Sequence, residues 1–188
     1  MFIFKNANII RSKSSIIEYI YDTLNSKPRR YVMEMRRSQN EIKDREEIIN
    51  IIHNCDVIRV GMSVDNMPYI VPLNFGFKDN TFYFHGAKEG RKIDMIKCNP
   101  NVCFELDTNH KLIGDSDRAC DWTMKYASVM GTGVMTIIET VEDKKNALNI
   151  LMQQYGGKEA YEYGEKMLDR IGIMKLDIIS MTGKQSSS

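Results

Sequence analysis

Little in this chain points to a membrane, a metal or a nucleic acid. No apolar run approaches the roughly 18 residues that cross a bilayer. The opening Met-Phe-Ile-Phe is followed at once by Lys5 and Asn6, without the apolar core of a signal peptide. With 26 basic against 25 acidic residues, there is no net field to draw nucleic acid or an anionic surface, so any bound anion must be held locally. Cys55, Cys98, Cys103 and Cys120 form no C-x-x-C pair, and His53, His85 and His110 are scattered. Both observations argue against structural zinc. No G-x-G-x-x-G nicotinamide fingerprint is present. The expectation is a cytoplasmic protein with free thiols, without partners among nucleic acids or membranes, and at 188 residues long enough to bury one core.

Against these absences, one stretch is dense in chemistry. Tyr83-Phe84-His85-Gly86-Ala87-Lys88-Glu89-Gly90-Arg91-Lys92 ends a strand pattern, turns, and opens a helix. It carries four potential cations and two glycines, and the helix begins with unpaired N–H groups. This outlines an anion pocket in which Arg91 can grip two oxygens at once; a solvated, lysine-rich turn is the other reading these ten residues allow.

The surrounding pattern is mostly β. Ile16, Ile17, Ile20, Tyr21 and Leu24 have the spacing of an amphipathic helix in residues 1–34. A second helix carries Ile48, Ile49, Ile51, Ile52 and Cys55, with starts offered at both Ser38 and Asp44. Strands follow at Val57 to Val64, Tyr69 to Phe77 and Thr81 to His85, divided by turn signals at Asp65-Asn66 and Lys78-Asp79-Asn80. Pro68 and Pro72 make the second of these either irregular or an edge strand. A helix from Gly90 to Cys98, a strand from Asn101 to Asp107 and an exposed loop over 108–120 come next. A long strand then runs from Trp122 to Glu139, bent at Gly131-Thr-Gly133, and leads to a helix capped by Thr140. A shorter helix over Lys158 to Leu168 and a strand from Ile171 to Met181 complete the chain, with the last six residues expected to be unordered. The fold class read from this is mainly β with peripheral helices: a six-stranded antiparallel split β-barrel.

Several motifs, taken together and in order, resemble one family. They are Met35-Arg36-Arg37; Tyr69-x-Val71-Pro72-Leu73-Asn74-Phe75-Gly76; the ten residues Tyr83 to Lys92; Val102-Cys103-Phe104-Glu105; Cys120-x-Trp122-Thr123-Met124-x-Tyr126-x-Ser128-Val129; and Met181-Thr182-Gly183-Lys184. The set is similar to the nitroimidazole-resistance (Nim) proteins, a branch of the pyridoxamine 5′-phosphate oxidase-like FMN-binding split barrels, and covers about residues 35–184. The resemblance implies a homodimer with FMN in clefts between the subunits. It implies that the FMN phosphate sits against His85, Lys88, Arg91 and Lys92, that the ring lies along Val71, Pro72, Leu73 and Asn74, and that Trp122, Tyr126 and Ser128 complete the pocket. The implied activity is FMN-dependent reduction of a small aromatic or nitro substrate, with no catalytic residue assigned and no metal.

Alternatives remain beside it. Trp122 and Tyr126 read equally as core aromatics and Cys120 as a packing residue, while a flavin-storing or redox-sensing module needs no enzyme chemistry. Haem in place of flavin would need His85 or His110 as a ligand. Two departures stand out: residues 1–34 precede the family's usual start, and the Arg-Leu-x-Pro ending of true pyridoxamine phosphate oxidases is absent after Asp177. Vitamin B6 oxidation is therefore not expected.

Overall fold

In a computed structural model, residues 38–114, 117–158 and 160–186 are described; they all fall in the larger of two units, residues 37–188. The expected helix at Ile16–Leu24 and the Met35-Arg36-Arg37 motif lie outside them. The element order is β1 (Glu41–Ile42), α1 (Arg45–His53), β2 (Ile58–Val64), β3 (Met67–Leu73), β4 (Gly76–Lys78), β5 (Thr81–Ala87), α2 (Arg91–Cys98), β6 (Asn101–Ile113), β7 (Thr123–Ile138), α3 (Val141–Gln154), α4 (Glu165–Leu168) and β8 (Ile171–Gln185). The strands form one antiparallel sheet in the order β3-β2-β6-β7-β8-β5-β4, with β1 added beside β8.

Local chemistry accounts for the short-range features. Asp65-Asn66 and Asp79-Asn80 both take φ between 50° and 63°, the double left-handed step of a tight hairpin turn, which Asn and Asp tolerate best after glycine. Of the two possible starts for α1, Asp44 is used: its carboxylate accepts from the Glu46 N–H. The helix then buries Ile48, Ile51 and Ile52, each worth about 1.5–3 kcal/mol in apolar transfer. Thr140 caps α3 by accepting from the Asp143 N–H.

Eight strands stand where six were expected, because a two-residue β1 joins the sheet and the single strand at Tyr69–Phe77 is two. β3 pairs with β2 and β4 with β5, at opposite ends of the sheet order. Yet only Asn74 and Phe75 separate them, a link of at most about 11 Å. The two ends of the sheet are thus held side by side and the sheet curls into an open barrel. The break is imposed from outside the strand: the Phe75 N–H donates to Tyr155 Oη at 3.0 Å, and a Cβ on Gly76 would stand 2.5 Å from the Leu151 backbone nitrogen of α3. Pro68 and Pro72 lie on the edge strand, as their missing N–H groups require.

Phe75, Phe82, Phe84, Val60, Leu106, Val129, Met135, Met174 and Leu176 are fully buried in the barrel. Phe82 is the centre of this packing, with ring centroids 5.4 Å from Phe75, 5.0 Å from Phe77 and 5.1 Å from Phe104. At Gly131 a Cβ would meet the Ser180 carbonyl oxygen at 2.3 Å and the Phe104 ring at 2.4 Å, so the strands approach too closely there for any side chain. The expected bend is a register shift between Thr132 and Gly133, with Ile179 of β8 as the extra residue.

Three further expectations change. The loop over 108–120 is in good part strand, because β6 continues to Ile113 against β7 after a shift at Thr108/Lys111, where Asn109 takes φ 59°. The helix over Lys158–Leu168 shrinks to α4, since the Tyr161 N–H and the Tyr163 hydroxyl both donate to Asn149 Oδ1 instead. The unordered tail is ordered as far as Ser186: β8 runs to Gln185, its ladder partner is Ala127, and Gln185 Nε2 donates to Glu47 Oε1 at 2.9 Å.

Candidate functional site

The strongest chemical signal lies where β5 hands over to α2. Gly90 takes φ 113°, a conformation costly to a side chain, and serves as the N-cap of α2 without a side-chain cap bond. The first two residues of the helix, Arg91 and Lys92, are both cationic. That is the wrong sign for the positive end of a helix dipole, worth roughly 0.3–1 kcal/mol per charge. The sequence therefore places charge where only an anion would make it favourable.

Lys92 sharpens the point. Its ammonium reaches back over β5, so that a Cβ on Gly86 would stand 3.1 Å from Nζ, with the fully buried Met174 behind it at 3.8 Å. Burial pushes its pKa below the ordinary lysine value, and among the described residues no carboxylate pairs with it. A half-desolvated cation without a counter-charge is an energetic debit in the ligand-free chain. Arg91 lies 4.5 Å over the ring of Tyr69, a stacking contact that fixes the guanidinium plane and ties α2 to the edge strand β3. Gly86, Lys92, Arg91 and Tyr69 thus form a cationic cradle at the start of α2.

The remaining expected site residues divide into three groups. His85 and Lys88 are exposed beside the cradle; His85 follows Phe84 and precedes Gly86 on β5, so alternation turns it to the opposite face from the one Lys92 covers. On β3, Val71 and Leu73 pack inward against the core while Pro72 and Asn74 are exposed. Asn74 Nδ2 lies 3.4 Å from Tyr155 Oη. Tyr126 and Ser128 are half-buried on the outer face of β7, and Trp122 stands just before that strand, 45% exposed. Trp122 is thus no core aromatic, and Cys120 is exposed rather than packed. Trp122 instead covers Gly114, where a Cβ would come within 2.6 Å of the indole.

Sequence reasoning missed a charged network on the same outer face. Cross-strand pairing aligns Pro72, Arg59, Glu105, Met130 and Thr182 in one row, and Asp107, Ser128 and Lys184 in the next. Arg59 donates to both Glu105 and Asp107, and His110 Nε2 lies 2.6 Å from Asp107 Oδ2. The Asp107 hydrogen bond raises the Arg59 pKa, while burial, then Asp107, raises that of Glu105. No local pattern signals it, because Arg59 is the one charged residue of β2 and its partners Glu105 and Asp107 lie on β6. A separate cavity of about 320 Å³, lined by Tyr83, Glu139, Asp143, Asn146 and Lys175 among others, contains none of the expected site residues.

Comparison with known proteins now bears on the cradle. The pyridoxamine 5′-phosphate oxidase family model matches residues 44–185. The chain belongs to that family. Within it, the chain is similar to a candidate 5-nitroimidazole antibiotic resistance protein from Bacteroides thetaiotaomicron, with 35% identity, a TM-score of 0.69, and coverage of 77% of this chain and 86% of that one. The flavocytochrome Anf3 from Azotobacter vinelandii (18% identity, TM-score 0.70, 82% and 73% coverage) and a FAD- and haem-binding protein from Mycobacterium smegmatis (16%, 0.71, 79% and 74%) share the fold. An uncharacterised protein of Rhizobium meliloti is 31% identical over 65 residues, 35% of this chain and 42% of that protein, so the match spans under half of that relative. Membership in the pyridoxamine 5′-phosphate oxidase family accounts for the split-barrel architecture; it does not by itself name a substrate. Among the described residues no helix is long and apolar enough to cross a membrane, and no cluster of three or more metal-binding side chains occurs.

Proposed function

We propose that this protein is an FMN-dependent oxidoreductase of the nitroimidazole-reductase type, acting as a homodimer on a small aromatic or nitro substrate. The observation that carries the reading is Lys92: a partly desolvated ammonium without a carboxylate partner among the described residues, over a glycine whose absent Cβ leaves room for it. The phosphate of a mononucleotide supplies the missing charge. Arg91, held flat by Tyr69, adds a two-pronged grip, and Lys88 adds a solvent-exposed charge. Bound flavin supplies the redox chemistry.

The protein's contribution is binding, orientation and electrostatics. β3 ends the sheet order, so among the described residues one of its two edges has no ladder strand beside it, and the backbone from Val71 to Asn74, just past its end, offers hydrogen-bonding groups to the polar rim of a flat ring. Outer-face residues Tyr126 and Ser128 supply walls, and the Arg59–Glu105–Asp107–His110 network supplies fixed charge beside Ser128. The similarity to the Bacteroides protein supports the nitro-substrate assignment.

The test is the visible spectrum of purified protein before and after adding FMN, followed by turnover of a nitroimidazole with a chemical or nicotinamide reductant. Flavin bands retained through gel filtration, weakened about 10- to 100-fold in affinity by Arg91→Ala, with electrons passed to the nitro compound, are the expected result. Flavin that is retained and reduced but passes nothing on would make this a storage or sensing module. A Soret band would move the cofactor to haem.

A further inference from the structure

The end of α3 holds two other parts of the chain in place. Gly156 takes φ 77°, its N–H donates to the Gln153 carbonyl at 3.2 Å, and the Gly157 N–H donates to the Met152 carbonyl at 2.8 Å. This pair of bonds across a left-handed glycine stops the helix at a fixed residue, and so sets where Gln154 and Tyr155 reach. Gln154 Nε2 donates to the His53 carbonyl at 3.2 Å, with the Ile52 and Cys55 carbonyls each at 3.4 Å; these are among the acceptors left over at the end of α1. Tyr155 Oη donates to the Asp56 carbonyl at 2.8 Å and accepts from the Phe75 N–H at 3.0 Å.

Fixing the Phe75 N–H fixes more than that group. The chain has no cis peptide bond, so the Asn74 carbonyl, in the same planar unit, points the opposite way from the N–H and away from Tyr155. Asn74 belongs to neither flanking ladder, because the pairing of β3 with β2 ends at Leu73 and that of β4 with β5 begins at Gly76. Among the described residues its carbonyl accepts no hydrogen bond. An acceptor without a partner of its own thus stands just past the edge strand. It is aimed by a side chain 80 residues further along the chain from Phe75.

We propose that Tyr155 is a positioning residue for the flavin: its hydroxyl holds the Asn74 carbonyl ready, before any cofactor arrives, as the acceptor for a ring N–H. The proposal rests on the flavin reading above and adds a residue that acts through a peptide group rather than by touching the cofactor. Reduction places negative charge on the polar rim that carries this N–H, so a fixed carbonyl oxygen there favours the oxidised ring and makes the reduced one a stronger electron donor. That direction suits the reduction of a nitro group.

Tyr155→Phe keeps the aromatic ring and removes the hydroxyl. In the FMN-free variant, hydrogen exchange at the Phe75 amide is expected to speed up about tenfold. The ratio of affinities for reduced and oxidised FMN, read as the midpoint potential of the bound flavin, is expected to rise roughly three- to tenfold. Gln154→Ala loosens the same helix end without touching Phe75; it is expected to lower the melting temperature and leave that ratio unchanged. A folded Tyr155→Phe with an unchanged ratio, or a Gln154→Ala that shifts it equally, overturns the positioning role, while FMN binding by the wild type leaves the flavin reading standing. A wild-type Phe75 amide that exchanges freely until FMN is added also overturns it, and that measurement needs no variant to fold. Wild-type protein that ignores FMN overturns both.

Discussion

The cradle end of the barrel and the ribbon end differ in what holds them. At the cradle, Gly86 and the Lys92 ammonium lie over the fully buried Met174, and the strand beneath is paired to β8 over its whole length. At the ribbon, Lys111–Ile113 of β6 and Thr123–Lys125 of β7 pair with each other and every described residue from Asn109 to Ile113 is exposed. One end is a rigid platform whose defect is electrostatic; the other is an adequately charged element whose defect is apolar exposure at Leu112 and Met124.

The comparison breaks most sharply at the platform. Phe82→Ala removes the ring that joins Phe75, Phe77 and Phe104 and is expected to cost about 3–5 kcal/mol in denaturant unfolding, abolishing FMN retention with it. Next comes Gly86→Val, whose side chain must displace the Lys92 ammonium. FMN affinity is expected to fall at least tenfold in an absorbance titration with a much smaller loss of stability. If affinity holds, Lys92 is not part of the phosphate site.

Smaller and opposite in sign is Lys92→Met. Burial lowers the Lys92 pKa, so the unfolded chain binds that proton more tightly than the folded one. The stability deficit is present at neutral pH and is relieved as pH rises from the lowered folded value toward the usual lysine value of 10.5. Lys92→Met is therefore expected to raise the melting temperature of FMN-free protein at pH 7 by about 2–4 °C. The gap between variant and wild type should close as pH climbs, and FMN binding should be lost. A melting temperature that falls would mean Lys92 already has its counter-charge.

The mildest test compares the thiols. Burial, chiefly, pushes Cys55 up to about 11, whereas Cys98, Cys103 and Cys120 are exposed. Alkylation at pH 8 in FMN-free, dilute protein is expected to modify those three and spare Cys55 until unfolding.

How far the fold was legible follows the range of the interactions involved. The hairpin turns at Asp65-Asn66 and Asp79-Asn80, the Thr140 cap and the inward stripe of α1 are set by contacts within a few residues, so composition and spacing reveal them. The gathering of Gly86, Gly90, Arg91 and Lys92 at one strand-to-helix turn was legible for the same reason, because they are neighbours in the chain. The division of one apparent strand into β3 and β4 was not, since it depends on Tyr155 and Leu151, about 80 residues downstream. Nor was the ribbon, whose polar residues resemble a loop until β7 pairs with them. The Arg59 network needs β2 and β6 side by side, and separations of 46 and 48 residues hide it from any local pattern.

By itself, then, the sequence decided where the chain turns, where its helices start and which ten residues gather positive charge, because backbone conformation and capping are local. Tertiary structure decided that Lys92 is partly desolvated over Gly86 and that the sheet curls until its ends meet at Asn74–Phe75. Desolvation and closure arise only when residues far apart in the chain come together.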